Sequence, residues 1–186
     1  MPIRNSRVIV EGHAIVSEDG MIADAEGRMP AGLRNEADWL LFQAALDQAA
    51  MVVLGRLGHE RHPNRGRRRL VLTRRVAGLA ADPRDPRATF WNPVDMAIEM
   101  ALDRLGIADG VLAITGGTGA FGLFLPLYDR FVLSEVRGLR IPGGTPCFTK
   151  GAPRLALSDG GLAVQETLTI DHEAGVMQTQ WRRQKK

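Results

Sequence analysis

Asp38 is the residue with the clearest chemical potential, and it lies directly before Trp39 in the stretch "NEADWLLFQAALDQAAMVVLGR" (35–56). A solitary carboxylate in a cleft can hold a ligand through hydrogen bonds and can help to deliver a proton. The simpler interpretation is a helix start. With Asn35 as N-cap, Asp38 is the third helical residue, where a carboxylate favours the positive helix end. Taken alone, the spacing favours the helix start, with Glu36 as a competing, more solvent-facing carboxylate.

A second candidate is the glycine-rich stretch "ITGGTGAFGLFLP" (114–126). A buried strand runs into Gly116 and Gly117, where a ligand can approach the backbone without meeting a Cβ atom. The helix that follows presents N–H groups, which favour an anion such as a pyrophosphate. The stretch is neither the GxGxxG dinucleotide fingerprint nor a P-loop with its lysine. Phosphate binding and a plain strand-to-helix turn both remain open.

The third candidate is the basic segment "HERHPNRGRRRLVLTRR" (59–75), in which we expect most arginines to be solvated. Arg56 and Arg74, each near the end of a buried strand, are best placed to bind carboxylate or phosphate oxygens. A nucleic-acid partner would rest on this run and on the basic tail 181–186. That partner is unfavoured because no aromatic residues alternate with the charges, as stacking on bases requires.

Composition bounds the remaining choices. The 186 residues, 45% hydrophobic, predict a single domain covering 1–186. No apolar run approaches the roughly 20 residues of a membrane helix, and the N-terminus lacks a secretory apolar region. One cysteine, Cys147, excludes an internal disulfide and fits a cytoplasmic protein. Cys147 and four scattered histidines form no recognisable zinc spacing, so no metal site is expected. The net charge of +3 suggests affinity for anions.

Hydrophobic periodicity predicts strands that alternate with helices. The predicted strands are 7–16, 51–54, 70–73, 111–114, 129–136, 152–157, 163–170 and 175–181, the helices are 36–49, 93–105 and 120–125, and the loops include 21–30, 59–69, 82–87 and 140–148. This order predicts a three-layer α/β sandwich with a mostly parallel mixed central sheet and a C-terminal antiparallel hairpin. Ligands of such sheets bind at the carboxyl ends of the strands, where the glycine-rich turn lies.

Seven motifs, in order between about residues 8 and 148, resemble those of the dihydrofolate reductase superfamily, which includes the reductase domains of riboflavin biosynthesis. They are "AIVSEDGMIA" (14–23), "MP" (29–30), "DWLLF" (38–42), "VVLGR" (52–56), "GRRRLVLTRR" (66–75), "ITGGTGAFGLFLP" (114–126) and "FVLSEV" (131–136). The resemblance implies a dihydrofolate reductase-like fold.

The resemblance also implies a substrate site. Asp38 falls on the carboxylate that grips the amino-pyrimidine edge of a pterin and helps to deliver a proton to the ring. Phe42 falls on the aromatic residue that packs against the ring, and Ser134 on the hydroxyl that hydrogen-bonds the carboxylate. Arg67 falls on the arginine that pairs with the glutamate tail of folate, and Met29 on the loop beside the substrate. These roles favour the functional interpretation of Asp38, whose pKa we expect burial to raise.

NADPH is the cofactor that the resemblance implies. Its adenosine 2′-phosphate would meet Arg56, Thr73 and Arg74, and its other phosphates Gly116 and Gly117. Ile22 and Ala23 would lie near the nicotinamide. The remaining cofactor contacts implied by the motifs are Ala14, Gly55, Thr118 and Phe121.

Some positions depart from the family pattern. The loop before Asp38 is longer by about two residues, Ala31 stands where folate reductases carry Trp, and Thr145 stands where they carry an acidic residue. The substrate is therefore open, and inhibitors that mimic folate, such as trimethoprim, are expected to bind less well, as in trimethoprim resistance.

Three functional hypotheses follow. The first is NADPH-dependent reduction of dihydrofolate or a related pterin in one-carbon metabolism. The second is reduction of a ribosylaminopyrimidine in riboflavin biosynthesis, with arginines of 61–69 on a ribose phosphate. The third, least favoured, is a nucleotide- or nucleic-acid-binding protein without turnover. The late edge strands could pair across a homodimer.

Overall fold

The computed structural model describes residues 7–62 and 64–184. Residues 1–6, Pro63 in the basic segment and the last two lysines of the basic tail lie outside the described residues.

Within the described residues the chain forms eleven strands and five α-helices. The strands are β1 Arg7–Ser17, β2 Met21–Ala23, β3 Ala49–Gly55, β4 Arg69–Leu72, β5 Leu79–Asp82, β6 Asp85–Trp91, β7 Asp109–Ile114, β8 Arg130–Val136, β9 Thr145–Pro146, β10 Leu162–Asp171 and β11 Val176–Arg183. The helices are α1 Glu36–Asp47, α2 Arg56–Arg61, α3 Ile98–Arg104, α4 Thr118–Phe124 and α5 Pro153–Asp159.

Nine strands form one sheet in the order β10-β11-β8-β1-β7-β3-β4-β6-β5. The six central strands, from β8 to β6, are parallel. Antiparallel strands flank them, with the β10–β11 hairpin beside β8 and β5 beside β6. The predicted mixed, mostly parallel sheet with its C-terminal hairpin is confirmed. Strand β10 forms one edge of the sheet, where a second copy of the chain could pair with it. The predicted homodimer through the late edge strands stays a prediction.

Strand β3 shows that both faces of the sheet are covered. Met51 and Val53 point into a core with α3, α4 and α5, whereas Val52 and Leu54 point into a second core with Leu46 of α1. Because neighbouring side chains of a strand point to opposite faces, a continuous apolar run marks a strand buried on both sides. The predicted three layers are therefore confirmed.

Helix α1 is fixed at its ends. At the N-terminus, Asn35 Oδ1 accepts the Asp38 N–H at 3.0 Å, and Asn35 Nδ2 donates to Asp171 Oδ2 of β10 at 2.7 Å. At the C-terminus, Leu46 is buried at 1% exposure. Trp39, seven residues earlier and so on the same side of the helix, is 56% exposed. Between the two ends, Phe42 is partly buried and packs against the same core as Leu46.

The predicted strand 152–157 is wrong, because this segment is part of helix α5. Its buried residues Pro153, Ala156 and Leu157 recur at intervals of three and one, which is one face of a helix. Pro153 also occupies the first helical turn, where its missing N–H costs nothing.

The predicted loop 82–87 is also wrong in part. Here β5 and β6 pair around a tight connection, with Asp82 opposite Asp85. Pro86 is tolerated because pairing of β6 with β4 begins only at Ala88. The first residues of segment 59–69, which was predicted to be irregular, belong to helix α2. The helix predicted over 93–105 is shorter, because α3 begins at Ile98 and ends at Arg104.

A two-stranded ribbon of β2 and β9 lies apart from the main sheet. It continues into Cys147, whose N–H donates to the Gly20 carbonyl at 3.0 Å. Cys147 is fully buried, and this burial raises the pKa of its thiol. The loops predicted at 21–30 and 140–148 therefore contain short strands that pair with each other.

Gly12 of β1 gives a test of the packing between sheet and helices. A Cβ atom at this position would lie 2.2 Å from Cδ2 of the buried Phe131 ring and 2.9 Å from the Tyr128 ring. We expect Gly12→Ala to lower the free energy of unfolding in urea by about 1–3 kcal/mol, since overpacking displaces buried rings. Gly119→Ala is the control. Nothing lies within 4 Å of its added Cβ, so an equal loss there would contradict this packing.

Candidate active site

A cleft of about 1540 Å³ opens at the carboxyl ends of β3, β4 and β7, between α1 and α4. Most of the residues singled out from the sequence line it. They are Ala14, Ile22, Ala23, Met29, Asp38, Phe42, Gly55, Arg56, Thr73, Arg74, Gly116, Gly117, Thr118 and Phe121. The cleft is larger than the roughly 300–1,000 Å³ of a typical small-molecule pocket, so it has room for two ligands side by side.

The Asp38 carboxyl group is partly buried on the wall of this cleft. Burial raises its pKa, while a hydrogen bond with Ser134 and the charge of His13 act in the opposite direction, and the net shift is upward. Ser134 is buried on β8 and in turn accepts a hydrogen bond from Gln178 Nε2 at 3.3 Å. The Asp38 side chain is therefore hydrogen-bonded to Ser134 of the sheet, while its backbone N–H donates to the N-cap residue Asn35.

Two residues that sequence reasoning passed over, Glu11 and His13, line the same cleft as Asp38. His13 of β1 is buried in the cleft wall, with its ring centroid 5.8 Å from that of Phe42. Its Nε2 lies 3.0 Å from Oε1 of Glu11, and Arg130 Nε lies 2.7 Å from Oε2 of the same carboxylate. The signal that could have revealed them is the alternation of Glu11 and His13 in an otherwise apolar strand, which turns both toward one face.

Glu11 is ionised although it is partly buried in the cleft wall. Burial acts to raise its pKa, but the hydrogen bond and charge of His13 and the charges of Arg130 and Arg182 outweigh it, so the pKa lies below the ordinary value. The cleft wall thus carries a network of compensated charges in addition to the Asp38 carboxyl group.

The glycine turn forms the opposite wall. The Gly55 N–H donates to the Gly116 carbonyl at 2.8 Å, so the ends of β3 and β7 meet there. Gly116 has φ +108°, and a Cβ atom on it would lie 3.0 Å from the Phe121 ring. The Thr118 hydroxyl donates to the Pro146 carbonyl. The turn therefore presents bare backbone to the cleft at a place where side chains do not fit.

The predicted arginines differ in their availability. Arg56 Nη1 donates to Glu60 Oε1 at 2.6 Å, whereas Arg74 is exposed at the edge of the cleft. Arg67 does not line the large cleft. It lies in an adjoining pocket of about 580 Å³, where its guanidinium binds Asp47 at 2.5 Å and Gln43 at 2.9 Å.

Much of the basic run is also occupied internally. Arg69 is fully buried and its Nη2 lies 2.5 Å from Asp85, and Arg68 donates to the Leu105 carbonyl at 2.8 Å. Arginines committed to protein acceptors are poor contacts for a phosphate backbone. The geometry gives the nucleic-acid hypothesis little support.

The described part of the chain contains no group of three or more His, Cys, Asp or Glu side chains arranged to hold a metal ion. None of its helices has the length and apolar character needed to cross a membrane.

The sequence matches no protein-family model, and no curated protein resembles it closely enough to count as a relative. Solved structures do match. A dihydrofolate reductase from Enterococcus faecalis, complexed with NADP(H) and RAB-propyl, has a TM-score of 0.69 at 18% identity, covering 95% of this chain and 97% of its own. A protein from Shewanella sp. PV-4 assigned to riboflavin biosynthesis has a TM-score of 0.67 at 15% identity, covering 95% and 99%.

A third similar structure is a diaminohydroxyphosphoribosylaminopyrimidine deaminase/5-amino-6-(5-phosphoribosylamino)uracil reductase from Thermotoga maritima. Its TM-score is 0.65 at 16% identity, covering 95% of this chain but 57% of the longer enzyme. Together these likenesses show that the chain has the dihydrofolate reductase-like fold. Neither one-carbon metabolism nor trimethoprim resistance follows from them.

The raised pKa of Asp38 predicts a pH-dependent stability. Because folding favours the protonated carboxyl, its contribution is fully present below the ordinary pKa of 3.8 and is lost as the pH rises through the folded-state pKa. Asp38→Asn should therefore raise the free energy of unfolding at pH 7, with a gain that shrinks toward pH 3.8. Urea titrations of both proteins across this range measure it.

Glu36→Gln is the matched control for that experiment, because Glu36 is an exposed carboxylate two residues away. It should give no comparable gain at pH 7. An Asp38→Asn protein that is less stable than the wild type at pH 7 would contradict the desolvation of Asp38.

Proposed function

We propose that this protein is an NADPH-dependent reductase of dihydrofolate or a related pterin. The observation that carries the proposal is the partly buried Asp38 with its raised pKa, on a cleft whose other wall is the bare glycine turn. The likeness to an NADP(H)-complexed dihydrofolate reductase supports it at the level of the fold.

On the substrate side, Asp38 would bind the amino and ring N–H groups of the heterocycle through its two oxygens. Ser134 fixes the orientation of the carboxyl group, and Phe42, one helical turn on, offers a face for the ring to pack against. A carboxyl group with a raised pKa can pass a proton, through water, to a ring nitrogen. The apolar residues around it, such as Ile15 and Leu33, limit access of bulk water.

On the cofactor side, the residues present fit a dinucleotide. Gly116 and Gly117 leave the backbone open to phosphate oxygens, Ile22 and Ala23 provide an apolar surface for a nicotinamide, and Arg74 is available for a 2′-phosphate. When bound, NADPH would supply the hydride. The task of the chain is to stack the two flat rings in a cleft with little water.

A second candidate is reduction of a ribosylaminopyrimidine of riboflavin biosynthesis. Two of the similar structures favour it, and so does His62, which lines both the large cleft and the adjoining pocket. His62 and the exposed Arg65 could hold a ribose phosphate, whereas the Arg61 guanidinium already donates to the Glu26 and Gly27 carbonyls. Oxidation of NADPH, followed at 340 nm with dihydrofolate and with the ribosylaminopyrimidine in parallel, distinguishes the two candidates.

Asp38→Asn should reduce kcat for NADPH oxidation with dihydrofolate at least about 100-fold, the usual scale for a general acid. The Kd for NADPH should stay within about twofold. Glu36→Gln should retain activity, because Glu36 is exposed and lacks the Ser134 bond. Unchanged turnover in Asp38→Asn, with the fold intact, would refute the proposed role.

Arg74→Ala should weaken NADPH binding about 10-fold or more while leaving NADH binding unchanged, since loss of a hydrogen bond to a charged group costs about 1.5–3 kcal/mol. Arg75→Ala is the control, because Arg75 is exposed but does not line the cleft. Quenching of tryptophan fluorescence measures both affinities. Equal effects of the two variants, or equal losses for both nucleotides, would argue against a 2′-phosphate site at Arg74.

A further inference from the structure

A second, smaller pocket of about 580 Å³ adjoins the cleft along helix α1. Trp39, Gln43 and Asp47, which recur every four residues, turn one stripe of the helix toward it. Trp39 lines the large cleft as well, so the two spaces meet there. Asp47 follows Asp38 by nine residues, or about 13.5 Å along the helix axis. A heterocycle held by Asp38 would therefore reach the far end of this pocket only through a long substituent.

Arg67, with 20% of its side chain exposed, is the most enclosed cation of the pocket. Its guanidinium carries five N–H groups, and each of them has an acceptor. Nε and Nη2 donate to Asp47 Oδ1 at 3.0 and 2.5 Å. Nη2 also donates to the Gln43 carbonyl at 3.4 Å, and Nη1 donates to Gln43 Oε1 at 2.9 Å and to Asn64 Oδ1 at 3.2 Å. A ligand carboxylate therefore meets no free donor on Arg67.

Asp47 occupies the edge of the guanidinium that suits a carboxylate best. Nε and Nη2 form a fork that matches two carboxylate oxygens, and Asp47 already accepts from both. A ligand carboxylate would have to displace Asp47, which exchanges one ion pair for another. The displaced Asp47, 62% exposed in the same pocket, would then repel the incoming charge. An anionic substituent therefore gains little net attraction from Arg67.

The other basic side chains of the pocket do not change this balance. Arg61 donates to the Glu26 and Gly27 carbonyls. His62 and Arg65 are exposed, and water and salt screen exposed charges. The pocket is thus basic in composition, yet its enclosed arginine is neutralised from within the chain.

We propose that Asp47 is a specificity-determining residue, which occupies Arg67 so that a substrate gains nothing from an anionic tail. This rests on the proposed function and narrows its substrate class to pterins whose side chain is uncharged. Trp39, 56% exposed at the junction of the two spaces, offers an aromatic face to such a side chain. The contact of Arg67 with a glutamate tail, which the family resemblance implies, is the opposite expectation, and the same measurements decide between the two.

The first test uses two probes that differ only in charge, dihydrofolate and its α,γ-diamide. Oxidation of NADPH by the wild-type protein should give values of kcat/KM for the two that agree within about threefold. A charge-assisted bond between Arg67 and the tail would instead favour dihydrofolate at least about 10-fold. A preference for dihydrofolate larger than about threefold would overturn the proposal.

Asp47→Ala frees Nε and Nη2 of Arg67, so kcat/KM for dihydrofolate should rise at least about 10-fold while that for the diamide stays within about twofold. The variant should fold, since alanine favours helices and a carboxylate is unfavourable at the last residue of α1. Adding Arg67→Ala to Asp47→Ala should remove the gain. Asp103→Ala, at an exposed position near the end of α3, is the control for the change in net charge and should alter neither value.

The proposal is overturned if Asp47→Ala gives no gain for dihydrofolate, if the gain survives without Arg67, or if Asp103→Ala gives the same gain. The outcome for the proposed function is separate. If neither probe elicits NADPH oxidation, the pterin function fails and the role of Asp47 fails with it. If the wild-type protein reduces both but strongly prefers dihydrofolate, only the role of Asp47 fails.

Discussion

The structure depends on how helix α1 is attached to the sheet. Its N-terminus is tied to β10 through Asn35 and Asp171, and its C-terminus is buried through Leu46, while the side chains between them face a cleft. A helix packed along its whole length would fill that space with apolar side chains. Attachment at the two ends, with Phe42 packed against the core between them, leaves the cleft open beside the helix.

This attachment sets the electrostatics of the site. Asp38 projects from α1 into partly desolvated space, so burial raises its pKa, and one hydroxyl from β8 supplies the bond that offsets part of the penalty. Glu11 of β1, which lines the same cleft, meets the opposite situation because cations surround it and keep it charged. Two carboxyl groups in one cleft thus acquire different protonation behaviour from their surroundings, as sites that divide binding from proton transfer require.

Much of this could be predicted from the sequence. Continuous apolar runs such as 51–54 report burial on both faces, and the cleft unites fourteen residues chosen by motif and resemblance. The failure at 152–157 has a local cause, because the segment is too short for its periodicity to separate strand from helix. Arg67 lies outside the cleft with Asp47 and Gln43 on its guanidinium, and its assigned contact with the substrate stays a prediction. His13 escaped notice because its significance depends on β8, β11 and α1, which only folding brings beside β1.

Cys147, the only cysteine of the chain, directly follows β9 and is fully buried in the main hydrophobic core. The ribbon of β2 and β9 contributes Ile22, Ala23 and Thr145 to the cleft. Alkylating reagents attack the thiolate, which burial suppresses here, so modification must wait for the ribbon to open. The rate at which iodoacetamide labels Cys147 consequently reports how often the ribbon at the cleft opens. No engineered cysteine is needed, and a ligand that holds the ribbon closed would slow the labelling.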